Sequence, residues 1–207
     1  MTPAGASDSI GWYEANAQSF FARSVDAAIL DLQRQFAGGL PPGGRVLDAG
    51  CGSGRDAKAF REWGFQVTAT EAAPKLAALA RAHAGVDVRV MTFDQMDWRE
   101  VFDGVWACAS LLHVARARLP DALGRLRRAL VPGGLLFMSF KYGEGEREAN
   151  GRSFTNLDEP GAARLLAEAG GLEVMSMQVT GDVRPDRSAE RWLSVFCRRT
   201  GAGAPAG

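Results

Sequence analysis

The sequence predicts a doubly wound α/β fold, a mostly parallel sheet with helices on both faces, and three observations carry that prediction. The first is Arg45 to Asp56, R-V-L-D-A-G-C-G-S-G-R-D, where a short apolar run meets glycines at 50, 52 and 54 and helix-forming residues follow at once. That is strand, glycine loop and helix, the opening of a nucleotide-binding βαβ unit. The second is the alternation of β-rich runs with helical patterns as far as Phe140, the signature of parallel strands joined by helices. The third is Glu71, an acid 17 residues beyond Gly54 at the end of the second predicted strand, where a carboxylate can accept hydrogen bonds from a ribose diol.

Composition sets the bounds. At 207 residues the chain suits one domain with a substantial core. Apolar residues make up 46% and charged residues 23%, a globular balance. Formal charge is zero, so no global basic field argues for nucleic acid. Arg125, Arg127 and Arg128 cluster on a predicted helix, where they read as a solvated face. Cys51, Cys108 and Cys197 have neither paired nor metal-ligand spacing, which implies reduced thiols, no metal and a cytoplasmic protein. No apolar run reaches transmembrane length and the start has no signal-peptide core.

Along the chain, residues 1–9 are small and polar and are expected to be disordered. Residues 10–200 read as one domain and 201–207 as a flexible tail. Between Trp12 and residue 37 the apolar residues Phe20, Phe21, Val25, Ile29, Leu32 and Phe36 recur at helical intervals, and the Gly38–Gly44 stretch ends the helix. Pro74 to about His83 is a helix with proline in its first turn. Asp87–Met91 is a third strand and Phe102–Cys108 a fourth. A basic helix, Arg118–Leu130, is stopped by Val131-Pro132-Gly133-Gly134. Leu135–Phe140 is an apolar run expected of a strand buried on both faces. Residues 141–154 read as a polar, glycine-rich loop of the kind that carries substrate contacts. Asp158 caps a last helix that Gly170 ends, and Leu172–Val179 and Trp192–Arg198 are two closing strands.

The glycine loop departs from two familiar patterns. A dinucleotide fingerprint wants its third glycine where Arg55 stands, and the G-K-[ST] ending of a triphosphate loop is missing. The string V-L-D-A-G-C-G-S-G instead resembles the first motif of class I S-adenosylmethionine (SAM)-dependent methyltransferases. F-D-G-V-W-A-C-A-S-L-L-H-V resembles that family's fourth-strand motif, and L-x-P-G-G-x-L-x-x-S around Leu135 is also similar to it. The chain looks like the tellurite-resistance and ubiquinone-biosynthesis side of the superfamily, where G-C-G-x-G-R-x-A recurs.

The resemblance implies a seven-stranded sheet ending in an antiparallel hairpin, with its last strand antiparallel. It also implies a cytoplasmic enzyme that passes a methyl group from SAM to a small-molecule acceptor, leaving S-adenosylhomocysteine. The helix over 12–37 would cover the cofactor, with Tyr13 near the methionyl carboxylate or simply packing. Asp48, Gly50, Cys51, Gly52, Gly54 and Arg55 would hold the amino-acid end, and Glu71 with Ala72 the ribose. Asp94, with Asp97 as competitor, would meet the adenine beside Gln95 and Met96, and Ser110 would line the site. His113 is either a general base or a residue that shapes the pocket. Lys141, Arg152, Arg184 and Arg187 are either solvated charges or guides for an anionic acceptor. No N-P-P-Y-like or D-P-P-Y-like tetrad follows the fourth strand, so nucleic-acid bases are not expected as acceptors. A monomer or homodimer is expected. A non-catalytic SAM-binding module and a nicotinamide-dependent reductase are the competing readings.

Overall fold

The computed structural model describes residues 6–27, 29–183 and 189–201. The predicted alternation of strands and helices is present as β1 (Arg45–Ala49), α4 (Arg55–Glu62), β2 (Gln66–Glu71), α5 (Pro74–Ala84), β3 (Asp87–Val90), β4 (Phe102–Ala107), α6 (Leu119–Ala129) and β5 (Leu130–Lys141). The chain closes with α7 (Glu159–Ala169), β8 (Leu172–Gly181) and β9 (Arg191–Arg199). The seven strands lie in the order β3-β2-β1-β4-β5-β9-β8. All neighbours are parallel except β9, which runs against both β5 and β8. The order reverses direction between β1 and β4, the crevice position where such sheets take ligands.

Period-two burial explains why the central strands are apolar throughout. Leu47, Ala49, Val105, Ala107, Leu136, Met138 and Phe140 face one core, filled by α6 and α7. Their neighbours Val46, Trp106, Leu135 and Phe137 face the opposite core with Phe36 and Phe60. There Trp106 stacks on Phe137 at 3.9 Å between ring centres. The predicted cap of the last helix is in place, with Asp158 Oδ1 accepting from Gly161 N at 2.8 Å; α5 ends on Gly85 at φ +64°, the left-handed geometry that favours glycine.

Three expectations need correction. The single helix over 12–37 is three: α1 (Ala6–Ala15), α2 (Ala17–Ser24) and α3 (Leu30–Gly38). The pieces dock on different cores, Tyr13 and Phe20 beside Leu76 and Ala73, but Phe36 beside Trp106 and Phe60. One straight rod cannot reach both. The start is not disordered through residue 9, because helix begins at Ala6 and Ser9 Oγ accepts from Ser153 N at 3.0 Å; residues 1–5 lie outside the described residues. Finally, the loop after β5 is a hairpin, β6 (Glu146–Ala149) against β7 (Arg152–Thr155). Asn150 and Gly151 turn it with φ of +52° and +72°, the Asn-Gly chemistry of a type I′ turn. The predicted tail, beyond Gly201, lies outside the described residues. No described helix is long and apolar enough to cross a membrane.

Candidate functional site

A cavity of about 520 Å³ opens at the carboxyl ends of the strands, within the size range of small-ligand sites. Its floor is the loop after β1. Gly50 N donates to Thr70 O at 3.0 Å and Cys51 N to the same oxygen at 2.8 Å, so the loop is fixed to the end of β2. Gly50 sits at φ +81°, and a Cβ there would lie 2.5 Å from Ser110 Cβ. Ser110 is itself anchored, its hydroxyl donating to Ala49 O at 2.6 Å. Gly52, at φ +57°, lies under the Phe20 ring of α2, 3.3 Å from where a Cβ would be. Gly54 serves packing instead: at φ +78° its missing Cβ leaves room for the α5 backbone at Ala80.

Gly50→Ala is therefore expected to destabilise more than Gly43→Ala. Both positions have positive φ, but nothing lies within 4 Å of a Cβ at Gly43. The control should lose about 1 kcal/mol from backbone strain, and Gly50→Ala roughly twice that once the contact with Ser110 is added. Denaturant unfolding of the two proteins measures the difference, and equal losses would remove the steric argument.

Glu71 ends β2 with one oxygen accepting from Gly52 N at 3.1 Å and the other from Ala73 N at 2.9 Å. Burial pushes its pKa up to about 7, against these backbone hydrogen bonds. Each carboxylate oxygen keeps a second lone pair, so the group can still accept a diol from the cavity. Ala72 also lines the wall. On the far side Asp94 and Met96 line the cavity, and Asp94 is held below the usual carboxylate range by its hydrogen bond with Thr92. Gln95 is turned away, its side chain accepting from Thr92 N and Thr92 Oγ1 at 2.9 Å. Asp97, the competitor of Asp94, is not among the lining residues.

Asp48 and Arg55 sit differently from expectation. Asp48 is buried behind the loop and not in the cavity wall. Burial, then the nearby Asp56 carboxylate, raises its pKa well above the usual range. Arg55 does reach the wall, yet its guanidinium is bound to Asp56 through Nε at 2.7 Å and Nη2 at 2.8 Å. Asp56 also accepts from Gln33 Nε2 at 2.6 Å and Trp106 Nε1 at 2.8 Å. Arg55 Nη1 donates to Ala27 O at 2.9 Å, which ties α4 to the chain between α2 and α3. Cys51 and Cys108 line the cavity as free thiols; burial pushes Cys108 up to about 12, so neither a thiolate nor a nucleophile is present there.

The opposite wall carries the polar chemistry. His113 Nδ1 is 2.8 Å from Ser153 O. A carbonyl only accepts, so Nδ1 carries the proton and Nε2 offers a lone pair. Tyr13 Oη lies 2.8 Å from Nε2 and donates to it. Burial pushes the histidine pKa down to about 4; Arg152 and Lys141 add to that, while the Ser153 hydrogen bond opposes it. Arg152 lies over the rings of Trp12 at 4.1 Å, Phe154 at 5.1 Å and Tyr13 at 5.6 Å. Its Nη1 is 3.3 Å from Tyr13 Oη, and its Nε is buried without a hydrogen-bond partner. Lys141 differs, since it is paired with Glu190. Arg184 and Arg187 lie outside the described residues. Tyr13, Lys141 and Arg152 thus share one wall with His113, although they are far apart in sequence.

Comparison with known proteins shows what this arrangement is similar to. Residues 46–134 match the methyltransferase domain model. The ubiquinone biosynthesis O-methyltransferase of Xanthomonas campestris pv. campestris is 40% identical over 108 residues, 47% of this chain and 43% of that protein. The 1,6-didemethyltoxoflavin-N1-methyltransferase of Burkholderia thailandensis, solved with 1,6-didemethyltoxoflavin and S-adenosylhomocysteine bound, superposes with a TM-score of 0.77 at 25% identity, over 93% of this chain and 87% of that one. Over residues 46–134 the chain is similar to the S-adenosylmethionine-dependent methyltransferases, and it has their fold. It spans less than half the length of the curated methyltransferases it matches. A TehB-like methyltransferase of Corynebacterium glutamicum shares the methyltransferase fold, with a TM-score of 0.69 at 20% identity over 92% of this chain and 98% of that one.

Two features of this site escape a reading of the sequence. One is the set of residues around Asp56, whose partners Gln33 and Trp106 lie 23 and 50 positions away. The other is the hairpin that brings Arg152, Ser153 and Phe154 against His113; its Asn150-Gly151 turn is a visible signal.

Proposed function

We propose that this protein transfers a methyl group from SAM to a small-molecule acceptor that carries an anionic group. The observation that carries the reading is that one cavity has the glycine loop and Glu71 on one wall and the Tyr13–His113 pair with Arg152 on the other. The first wall fits SAM: the loop around Gly50 and Gly52 lets the amino-acid end lie on bare backbone, Glu71 receives the ribose hydroxyls, and Asp94 and Met96 receive the adenine. When bound, SAM supplies an electrophilic methyl carbon.

The protein's own residues do the rest. Phe20 covers the loop at Gly52 and Tyr13 packs edge-on against it, which excludes water, and a dry, well-aligned site is what an in-line transfer needs. His113, neutral and with Nε2 directed at Tyr13 Oη, is the group able to take a proton from the acceptor. Arg152 supports the anionic class. It is a cation in the cavity wall backed by aromatic faces, with no carboxylate partner among the described residues, and guanidinium suits carboxylate or phosphate. The 1,6-didemethyltoxoflavin-N1-methyltransferase, solved with 1,6-didemethyltoxoflavin bound, supports the small-molecule reading.

The test is transfer of label from methyl-labelled SAM to a cell extract separated into small-molecule, RNA and protein fractions. Label is expected among the small molecules, in species retained on an anion exchanger. Label confined to RNA or protein would overturn the acceptor class, and S-adenosylhomocysteine binding without transfer to any fraction would indicate a binding module.

A further inference from the structure

The turn carrying His113 packs against β5 and β7, and both strands direct a cation toward the ring's surroundings. From β7, Arg152 Nη1 reaches the same Tyr13 oxygen that donates to His113 Nε2. From β5, Lys141 lies over the Phe154 ring at 5.2 Å, and that ring is 5.0 Å from the imidazole. Lys141 is offset by Glu190. Glu146, on β6, is directed to Arg116 N at 2.8 Å and Thr155 Oγ1 at 3.5 Å, not to the histidine. From α1, Tyr13 faces the imidazole while Glu14 is turned to Lys75; from β6, Arg147 lies over the Phe154 ring at 5.0 Å, on the same ring as Lys141. The positive field of Arg152 therefore acts on a buried imidazole that must become cationic to serve as a base. Closely placed like charges oppose that protonation.

We propose that the anionic group of the acceptor switches this base on: by pairing with Arg152 it cancels the guanidinium field, and Tyr13 then relays the acceptor's proton to His113. This rests on the proposed function and names how its site is controlled. In the relay the acceptor's O–H or N–H bond breaks and its proton passes to Tyr13 Oη. The Tyr13 proton passes to His113 Nε2, Nδ1–H stays on Ser153 O, and the electron pair left on the acceptor is the nucleophile. Departure of the anionic product restores the field of Arg152, which expels the proton to solvent and returns the site to its starting state. An acceptor without the anion leaves the histidine a poor base, so the charge selects at the proton-transfer step as well as at binding.

The test reads protonation and needs no turnover. The chain has two histidines, so His83→Gln protein labelled with ¹⁵N-imidazole reports His113 alone. In that background the His113 midpoint should lie near 4. Arg152→Gln should raise the proton affinity about tenfold and Arg152→Lys should not, as expected for loss of one close charge in a poorly solvated site. Saturating benzoate, as a model anion, should raise the midpoint when Arg152 is present and leave Arg152→Gln unmoved. A wild-type midpoint in Arg152→Gln, or benzoate that binds without moving it, overturns the proposal. If Arg152→Gln no longer binds S-adenosylhomocysteine, the benzoate titration of the Arg152 protein decides alone. The midpoint shift in a protein that transfers no label would sink the function and keep the switch. Label transfer with no shift would do the reverse.

Discussion

Asp56→Ala is expected to cost about 3–5 kcal/mol of stability, the range for removing one partner of a buried ion pair, a large share of what a single domain has. Four donor groups meet this carboxylate: two from Arg55, one from Gln33 and one from Trp106. Burial alone would raise its pKa; the Arg55 ion pair and the hydrogen bonds outweigh that and hold it below the usual value. Truncation leaves a guanidinium without its counter-charge and an indole N–H without an acceptor inside the core that contains Phe36, Phe60 and Phe137. Since Arg55 also donates to Ala27 O, the loss should spread to the chain between α2 and α3 and expose Phe20 over the glycine loop. Chemical unfolding of Asp56→Ala and Asp56→Asn measures it. The asparagine protein keeps an acceptor oxygen and should lose less; equal, small losses in both would show that the pair is solvated in solution. Because the folded pKa is depressed, the contribution of Asp56 is present above the unfolded value near 3.8 and fades as pH falls through the folded one.

The sequence announces the sheet and the floor of the site because both are written locally. Glycines 50, 52 and 54 and the acid at 71 mark strand ends, and strand ends in a doubly wound sheet converge on one edge. What stays hidden is either long-range or contrary to the usual patterns. Glycine 54 reads as part of the ligand loop, yet its neighbour is the Ala80 backbone of α5. Asp48 reads as a ligand and lies behind the loop. The hairpin at 146–155 was obscured because its strands, E-R-E-A and R-S-F-T, lack the apolar alternation that marks a half-buried strand, though Asn-Gly is a strong turn signal. Gln95 was legible as well: Thr92-Phe93-Asp94-Gln95 has the capping-box spacing, and the structure closes that box. No local pattern reveals that the Ser153 carbonyl sets the tautomer of a histidine 40 residues away.

Glu71→Ala should weaken S-adenosylhomocysteine binding by about a hundredfold or more and leave the fold intact. Two hydrogen bonds from the ribose to a charged acceptor, each worth about 1.5–3 kcal/mol, would be lost. Titration calorimetry measures the change, and wild-type affinity in the alanine protein would sink the cofactor assignment. The raised pKa adds a second signature. With the carboxyl at about 7 in the cofactor-free protein, binding in the wild type should weaken as pH falls below that value, because protonation converts an acceptor oxygen into a donor. The alanine protein should lack this dependence. Stability runs the other way: the folded state holds this proton more tightly than the unfolded chain, whose glutamate titrates near 4.5. Cofactor-free stability should therefore decline as pH rises from that value through 7, by roughly 3 kcal/mol at most from this group. Asp48, raised by burial in the same way, acts in the same direction, so the Glu71 share is the difference between wild type and Glu71→Gln across that window. Above pH 7 the glutamine protein should show no further decline with pH when empty, although its amide nitrogen cannot accept from one of Gly52 N and Ala73 N, and it should be the weaker at binding. Such opposed effects are expected when a buried carboxylate is kept for a ligand at a cost to the empty fold.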